Sequence, residues 1–167
     1  MFKINDTVVH PNAGICKIFD IRFERFGMTN EKYYILLPLY SSIATKIYVP
    51  VLGNKITLRY PFSKEELEFM LKNSLHLDKQ WIDDDKARTE KFNAILRNKN
   101  SSEIIGMICE LHKKQKEREK LGRKLRSNDE RILSEAEKLI NQEFAFVFGI
   151  TIDEVSNFIM EKLHISE

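Results

Sequence analysis

The chain has 167 residues, 43% hydrophobic and 31% charged, with a formal net charge of +2, a composition that belongs to an ordinary soluble globular protein of one or two domains. No run of about eighteen apolar residues exists, which excludes a membrane-spanning helix, and Met1-Phe2-Lys3-Ile4-Asn5-Asp6 lacks the apolar stretch and cleavage site of a secretory signal, so a cytoplasmic location is expected. Residues 1 to 61 carry eight Lys or Arg against four Asp or Glu, whereas residues 62 to 167 carry nineteen against twenty-one, so the second half is no general polyanion binder and any nucleic-acid contact there needs a local patch.

Alternation and β-branched enrichment predict strands near 6 to 10, 14 to 24, 32 to 40, 46 to 51 and 56 to 60. Pro11 to Gly14, Gly27-Met28-Thr29-Asn30 and Leu52-Gly53-Asn54-Lys55 read as turns between them. Five such strands fit a small β-barrel of the SH3 or Tudor type, with one edge left for a partner.

At Pro61-Phe62-Ser63 the apolar period changes from two to 3.6, and Ser63-Lys64-Glu65-Glu66 reads as a capping box. The domain boundary is placed there, giving domains 1–61 and 62–167. Asn100 to Glu103, Ser127 to Glu130 and Thr151 to Glu154 mark further helix starts. Five helices are predicted, near 64 to 73, 81 to 97, 102 to 121, 128 to 148 and 152 to 163. Ile104, Ile105, Ile108 and Leu111 form one core stripe; Ile132, Leu133, Ala136, Leu139, Ile140 and Phe144 form another. The fold class is therefore α+β in two domains, a β-barrel followed by an all-α domain.

The order of the amino-terminal pieces resembles the CarD family of bacterial RNA polymerase binding proteins, which includes CdnL-type regulators. The resemblance is carried by Asp6-Thr7-Val8-Val9 and Pro11 in the opening strand, Gly14 in its turn, Tyr34 in the aromatic strand, Val49-Pro50, and Leu58-Arg59. It implies a barrel similar to the polymerase-interacting domain of the transcription-repair coupling factor, docking on the polymerase β subunit by an edge strand with basic side chains around it. The candidate contacts are Arg22, Arg25, Lys46, Tyr48, Val49, Pro50 and Arg59; a bare reading of Arg22 and Arg25 is the solvated face of a strand. Family members often place Arg or another polar residue before Val-Pro, where this chain has Tyr48, an amphipathic aromatic that interfaces also favour.

Trp81, the single tryptophan, matches by the same resemblance a residue that wedges into the minor groove at the upstream edge of the promoter bubble, where an aromatic plane compensates lost stacking. The alternative is a packing anchor between helices. Family members usually follow this tryptophan with basic residues, whereas Ile82-Asp83-Asp84-Asp85 follows it here; three carboxylates repel phosphate but suit a helix amino terminus. Lys86, Arg88, Lys113, Lys114, Lys124 and Arg131 are the accompanying candidate DNA contacts. The run Lys113 to Arg126, eight basic and two acidic residues, reads either as a phosphate track or as a solvated helix face.

Catalysis finds no support: there is no Gly-rich phosphate loop, no nucleophile elbow and no paired carboxylates with a neighbouring base. Cys16 and Cys109 have no partner at metal-ligand spacing, the four histidines are scattered, and Asp83 to Asp85 lack the alternating ligands of a calcium loop, so neither metal nor cofactor is expected. The expectation is a transcription regulator, not an enzyme, with RNA polymerase and promoter DNA as partners and neither membrane nor small-molecule substrate. It would stabilise the open complex. One rival is a polymerase-bound adaptor whose Phe144-Ala145-Phe146-Val147-Phe148 segment binds another protein; a second is an untethered nucleic-acid binder.

Overall fold

A computed structural model describes residues 1–43, 45–53, 56–76 and 81–163, the side chains of residues 75 and 76 excepted. It divides into two compact units, Met1–Phe62 and Ser63–Glu167.

The first unit is a four-stranded antiparallel sheet in the order β1 (Thr7–His10), β2 (Gly14–Phe26), β3 (Thr29–Pro38), β4 (Ile47–Pro50). Val8, Cys16, Ile18, Tyr34, Leu36 and Val49 form its core, with Ile21, Ile47, Val51, Ile56 and Leu58 packed against them. The β1–β2 turn depends on Gly14, whose φ of 70° lies where a side chain is strained. It is pinned by His10 Nδ1, which accepts the N–H groups of Asn12 and Ala13 at 3.2 and 3.1 Å, so this buried ring nitrogen serves as a turn cap.

The predicted fifth strand, 56 to 60, is reduced to one bridge. Val9 N–H donates to Arg59 C=O at 2.8 Å and Arg59 N–H returns to Val9 at 3.4 Å. In an antiparallel ladder the next bonded pairs would be 7 with 61 and 11 with 57. Residues 61 and 11 are both prolines and lack the donor, so the ladder cannot propagate in either direction. Of the predicted turn at Leu52 to Lys55, Asn54 and Lys55 lie outside the described residues.

The second unit holds α1 (Lys64–His76), α2 (Asp85–Asn98), α3 (Ser101–Lys120), α4 (Ser127–Phe148) and α5 (Ile152–Lys162), with α3 packed against all four others. Three predicted starts act as read. Ser63 and Glu66 exchange hydrogen bonds at 2.7 and 3.1 Å, Asn100 Oδ1 accepts Glu103 N–H at 3.1 Å, and the Glu154 carboxylate accepts Thr151 N–H at 2.8 Å. Two details differ. Helix α2 begins at Asp85, so Trp81 precedes it, and α4 has no side-chain cap because Arg126, which has no side-chain acceptor, stands at its N-cap, while Asp129 in its first turn is drawn inward to Arg88.

Both predicted stripes are core except for Leu139, which stays 36% exposed where the stripe curves off the packed face. Phe144 and Ala145 are buried, and Phe148 packs on Phe144 and Phe158, so the aromatic segment assigned to an adaptor surface is largely internal, with Phe146 exposed. Both cysteines are buried, the Ser74 hydroxyl lies 3.3 Å from Cys109 Sγ, and burial pushes the Cys16 thiol up to about 11. Among the described residues, no helix is long and apolar enough to cross a membrane, and no cluster of His, Cys, Asp and Glu could hold a metal ion.

Candidate functional site

In the first unit the informative element is β4. It pairs with β3 through Tyr33–Pro50, Tyr34–Val49, Ile35–Tyr48 and Leu36–Ile47, and no other described strand pairs with it. The Val51 N–H donates to Lys32 C=O at 2.8 Å. Bonded and non-bonded pairs alternate in an antiparallel ladder, so Val49 and Ile47 spend their main-chain groups on β3, while Tyr48 turns its N–H and C=O to the outer edge. An edge of this kind can accept a partner's strand.

The side chains divide differently from the sequence expectation. Val49 is fully buried in the core and cannot supply a side-chain contact; it holds the edge strand in place. Tyr48 joins Phe26 and Tyr33 in an aromatic trio, with ring centroids 5.4 Å from Phe26 and 6.5 Å from Tyr33, and Phe26 to Tyr33 at 5.1 Å. Phe26 and Tyr33 were not picked out as site residues by sequence; aromatic residues on one face of β2 and β3, the two strands of the hairpin closed by Gly27-Met28, were the available signal.

Arg22 lies across from Tyr33 and is engaged on its own strand, its Nε donating to Glu24 at 2.6 Å and Nη1 to Asp20 at 3.4 Å. Arg25 is exposed, but three residues on, so strand alternation directs it to the opposite face from Arg22 and Tyr48. Lys46 lies over the Phe19 ring at 5.2 Å, Pro50 is half-buried, and the Arg59 guanidinium lies 4.1 Å from the Phe62 ring centroid while donating to Tyr60 C=O. Arg22, Lys46, Tyr48 and Pro50 therefore share a side of the sheet, and Arg25 does not.

In the second unit Trp81 is half-buried just before α2. Its ring meets Phe92 edge-on at 6.4 Å, and two cations lie over it, Arg88 Cζ at 4.6 Å and Lys114 Nζ at 5.2 Å. Two of the three carboxylates beside it are engaged locally. Asp84 caps α2 by accepting Ala87 N–H at 2.7 Å, and Asp85 is paired with both Arg88 and Arg126, whose hydrogen bonds hold its carboxyl below the ordinary value of 3.8. Trp81, Asp83, Lys114, Arg118 and Arg126 line a cavity of about 130 Å³, together with Arg88 and Asp129.

Arg88 departs from its expected role as a phosphate contact. Only 2% exposed, it makes a two-pronged pair with the equally buried Asp129, Nε to Oδ1 at 3.0 Å and Nη2 to Oδ2 at 2.9 Å. Removing two charges from water is costly, and only paired, fully bonded groups tolerate it. The remaining basic candidates are at the surface: Lys86 on the first turn of α2, Lys113 and Lys114 on α3, Lys124 in the α3–α4 connection, and Arg131 on α4. Lys114 also reaches Glu117 at 3.1 Å, and Arg131 reaches Glu135 at 2.7 Å, exposed pairs that contribute little. Arg118 and Arg126, which line the same cavity as Trp81, carried no individual signal in the sequence, because their neighbours there come from distant segments.

Against curated proteins the chain has no match. Residues 2–60 match the family model described as the CarD-like/TRCF RID domain, a span that ends at Tyr60 beside the Val9–Arg59 bridge. Over those residues the amino-terminal unit is thus similar to the RNA polymerase-interacting domain that CarD-like proteins and the transcription-repair coupling factor share.

Proposed function

We propose that the chain regulates transcription in the bacterial cytoplasm by docking on the RNA polymerase β subunit through the β4 edge and stabilising the promoter open complex. The carrying observation is the outward main chain of Tyr48, set beside the aromatic trio and Arg22, Lys46 and Pro50. Strand addition would supply affinity through main-chain hydrogen bonds, and the net positive charge of residues 1 to 61 would orient the encounter. The helical unit would then reach DNA near the upstream edge of the bubble with Trp81 and with Lys86, Lys113, Lys114, Lys124 and Arg131. Such contacts need not be strong, because tethering raises their effective concentration, and they need no sequence readout. Capping of α2 by Asp84 and pairing of Asp85 with Arg88 and Arg126 support the reading, since a helix amino terminus and two guanidinium groups offset the charge of two of the three carboxylates.

The adaptor alternative rests on Phe144 to Phe148, of which Phe144 and Ala145 are buried, so that Phe146, 40% exposed, is the main surface left to it. The test of docking is Tyr48→Pro in the full chain, which removes an outward N–H while leaving every β3–β4 bond intact, compared with Tyr48→Phe. With isolated β subunit, the proline variant should bind roughly tenfold or more weakly, as loss of a central anchor does, and the phenylalanine variant should bind like the parent. A folded proline variant of unchanged affinity would reject the β4 edge.

A further inference from the structure

We propose that Arg88 is the positioning residue for Trp81, holding the 81–85 segment in one conformation instead of contacting phosphate. Every nitrogen of its guanidinium is committed. Nε and Nη2 grip Asp129 of α4, Nη2 also donates to Asp85 at 2.5 Å, and Nη1 donates to the main-chain carbonyls of Ile82 at 2.7 Å and Asp83 at 3.4 Å. The flat of the same group lies 4.6 Å from the Trp81 ring centroid. One planar fork thus ties the two residues that follow Trp81, the first turn of α2, the first turn of α4 and the indole face itself. Asp85 extends the tie to Arg126, at the amino terminus of α4.

The arrangement answers a need that α2 alone does not meet. Trp81 stands outside the helix, in a segment with no ladder of its own, so its direction has to come from tertiary contacts. A side chain that offers an aromatic plane to a partner gains from being fixed beforehand, since the ordering cost is then not charged to binding. The guanidinium is suited to this because its donors sit in a rigid plane, whereas an ammonium is a point charge on a flexible stem. Arg88→Lys therefore separates two roles: a phosphate contact would survive it in large part, and a positioning fork would not.

This inference rests on the reading of Trp81 as a DNA contact, and its test reads position and function separately. As the single tryptophan, Trp81 makes the intrinsic fluorescence of the full chain a direct report on its surroundings. Two variants are compared with the parent and with Trp81→Ala: Arg88→Lys, and the paired swap Arg88→Met with Asp129→Leu, which removes the ion pair without leaving an orphaned buried charge. In both, Trp81 emission should shift to longer wavelength, acrylamide quenching should rise, and the open-complex lifetime given by the full chain with polymerase should fall to that of Trp81→Ala. Folded variants with parental emission and quenching would overturn the proposal and leave the pair as packing alone. If neither variant folds, the proposal is also overturned, because a group that no replacement can spare is structural. If emission shifts while Trp81→Ala itself gives a parental lifetime, the positioning stands and the DNA reading of Trp81 falls.

Discussion

The phenolic hydroxyl of Tyr60 donates to Asp6 Oδ2 at 2.8 Å, joining positions 54 residues apart beside the single main-chain bridge of Val9 and Arg59. The carboxylate also accepts Lys3 N–H at 2.8 Å, and Phe2 stacks edge-on against the Tyr60 ring at 4.9 Å. A seam that prolines keep from growing into a strand is completed by side chains.

From this seam follows the first expectation. The Asp6 carboxyl is held below the ordinary 3.8 by Lys3 N–H first and the Tyr60 hydroxyl second. In Tyr60→Phe its titration, followed by carboxyl NMR, should move upward toward that value but not reach it, because the Lys3 bond remains. A titration identical to the parent's would mean that the phenol makes no such bond in solution.

Adjacent positions of α4 should respond unequally to truncation. Ile140 is 4% exposed and Leu139 36% exposed, although both belong to one apolar stripe in the sequence. Ile140→Ala should cost about 2–5 kcal/mol in denaturant unfolding, and Leu139→Ala under about 1 kcal/mol. Equal losses would place Leu139 back in the core.

DNA binding by the free chain should be weak, strongly salt-dependent and nearly indifferent to sequence. With the five candidate cations Lys86, Lys113, Lys114, Lys124 and Arg131 each meeting a phosphate, log affinity should fall against log salt with a slope of about 4 to 5 for duplex DNA. Lys124→Ala should lower that slope by about 1 and weaken all duplexes alike. Tight, salt-insensitive and sequence-specific binding would identify an untethered DNA-binding protein instead.

Acid should loosen the helical unit through two carboxylates. Asp85 lies below its ordinary value because of hydrogen bonds from Arg88 and then Arg126; at Glu137 burial pushes upward, but bonds with His112 and Ser156 outweigh it and the net direction is down. A group whose folded value is depressed adds stability above its unfolded value and loses it as pH falls through the folded one. The contribution is thus complete above the ordinary values of 3.8 and 4.5 and disappears below them. Asp85→Asn should flatten the dependence of unfolding stability on pH in that acid range, and leave its slope near neutrality unchanged. An unaltered acid slope would remove Asp85 from the account.

What the chain determined by itself was whatever a few neighbouring residues decide together. Ser63 with Glu66, Asn100 with Glu103 and Thr151 with Glu154 satisfy helix N–H groups within one turn, so reading them needed no knowledge of the fold. The β1–β2 turn at Gly14 and the buried stripe of α3 are local in the same sense. Ser127 to Glu130 carries the same kind of signal and fails as a cap, because α4 starts one residue earlier: Arg126, whose side chain has no acceptor, takes the N-cap position and Ser127 becomes the first helical residue, while Asp129 of the first turn pairs with Arg88, 41 positions away. The outward main chain of Tyr48 depends on a register set between strands, the missing fifth strand on two prolines that meet only when that register is known, and the surroundings of Trp81 on three helices packing at one point. Those relations join residues far apart in sequence, and only the folded chain brings them within reach of one another.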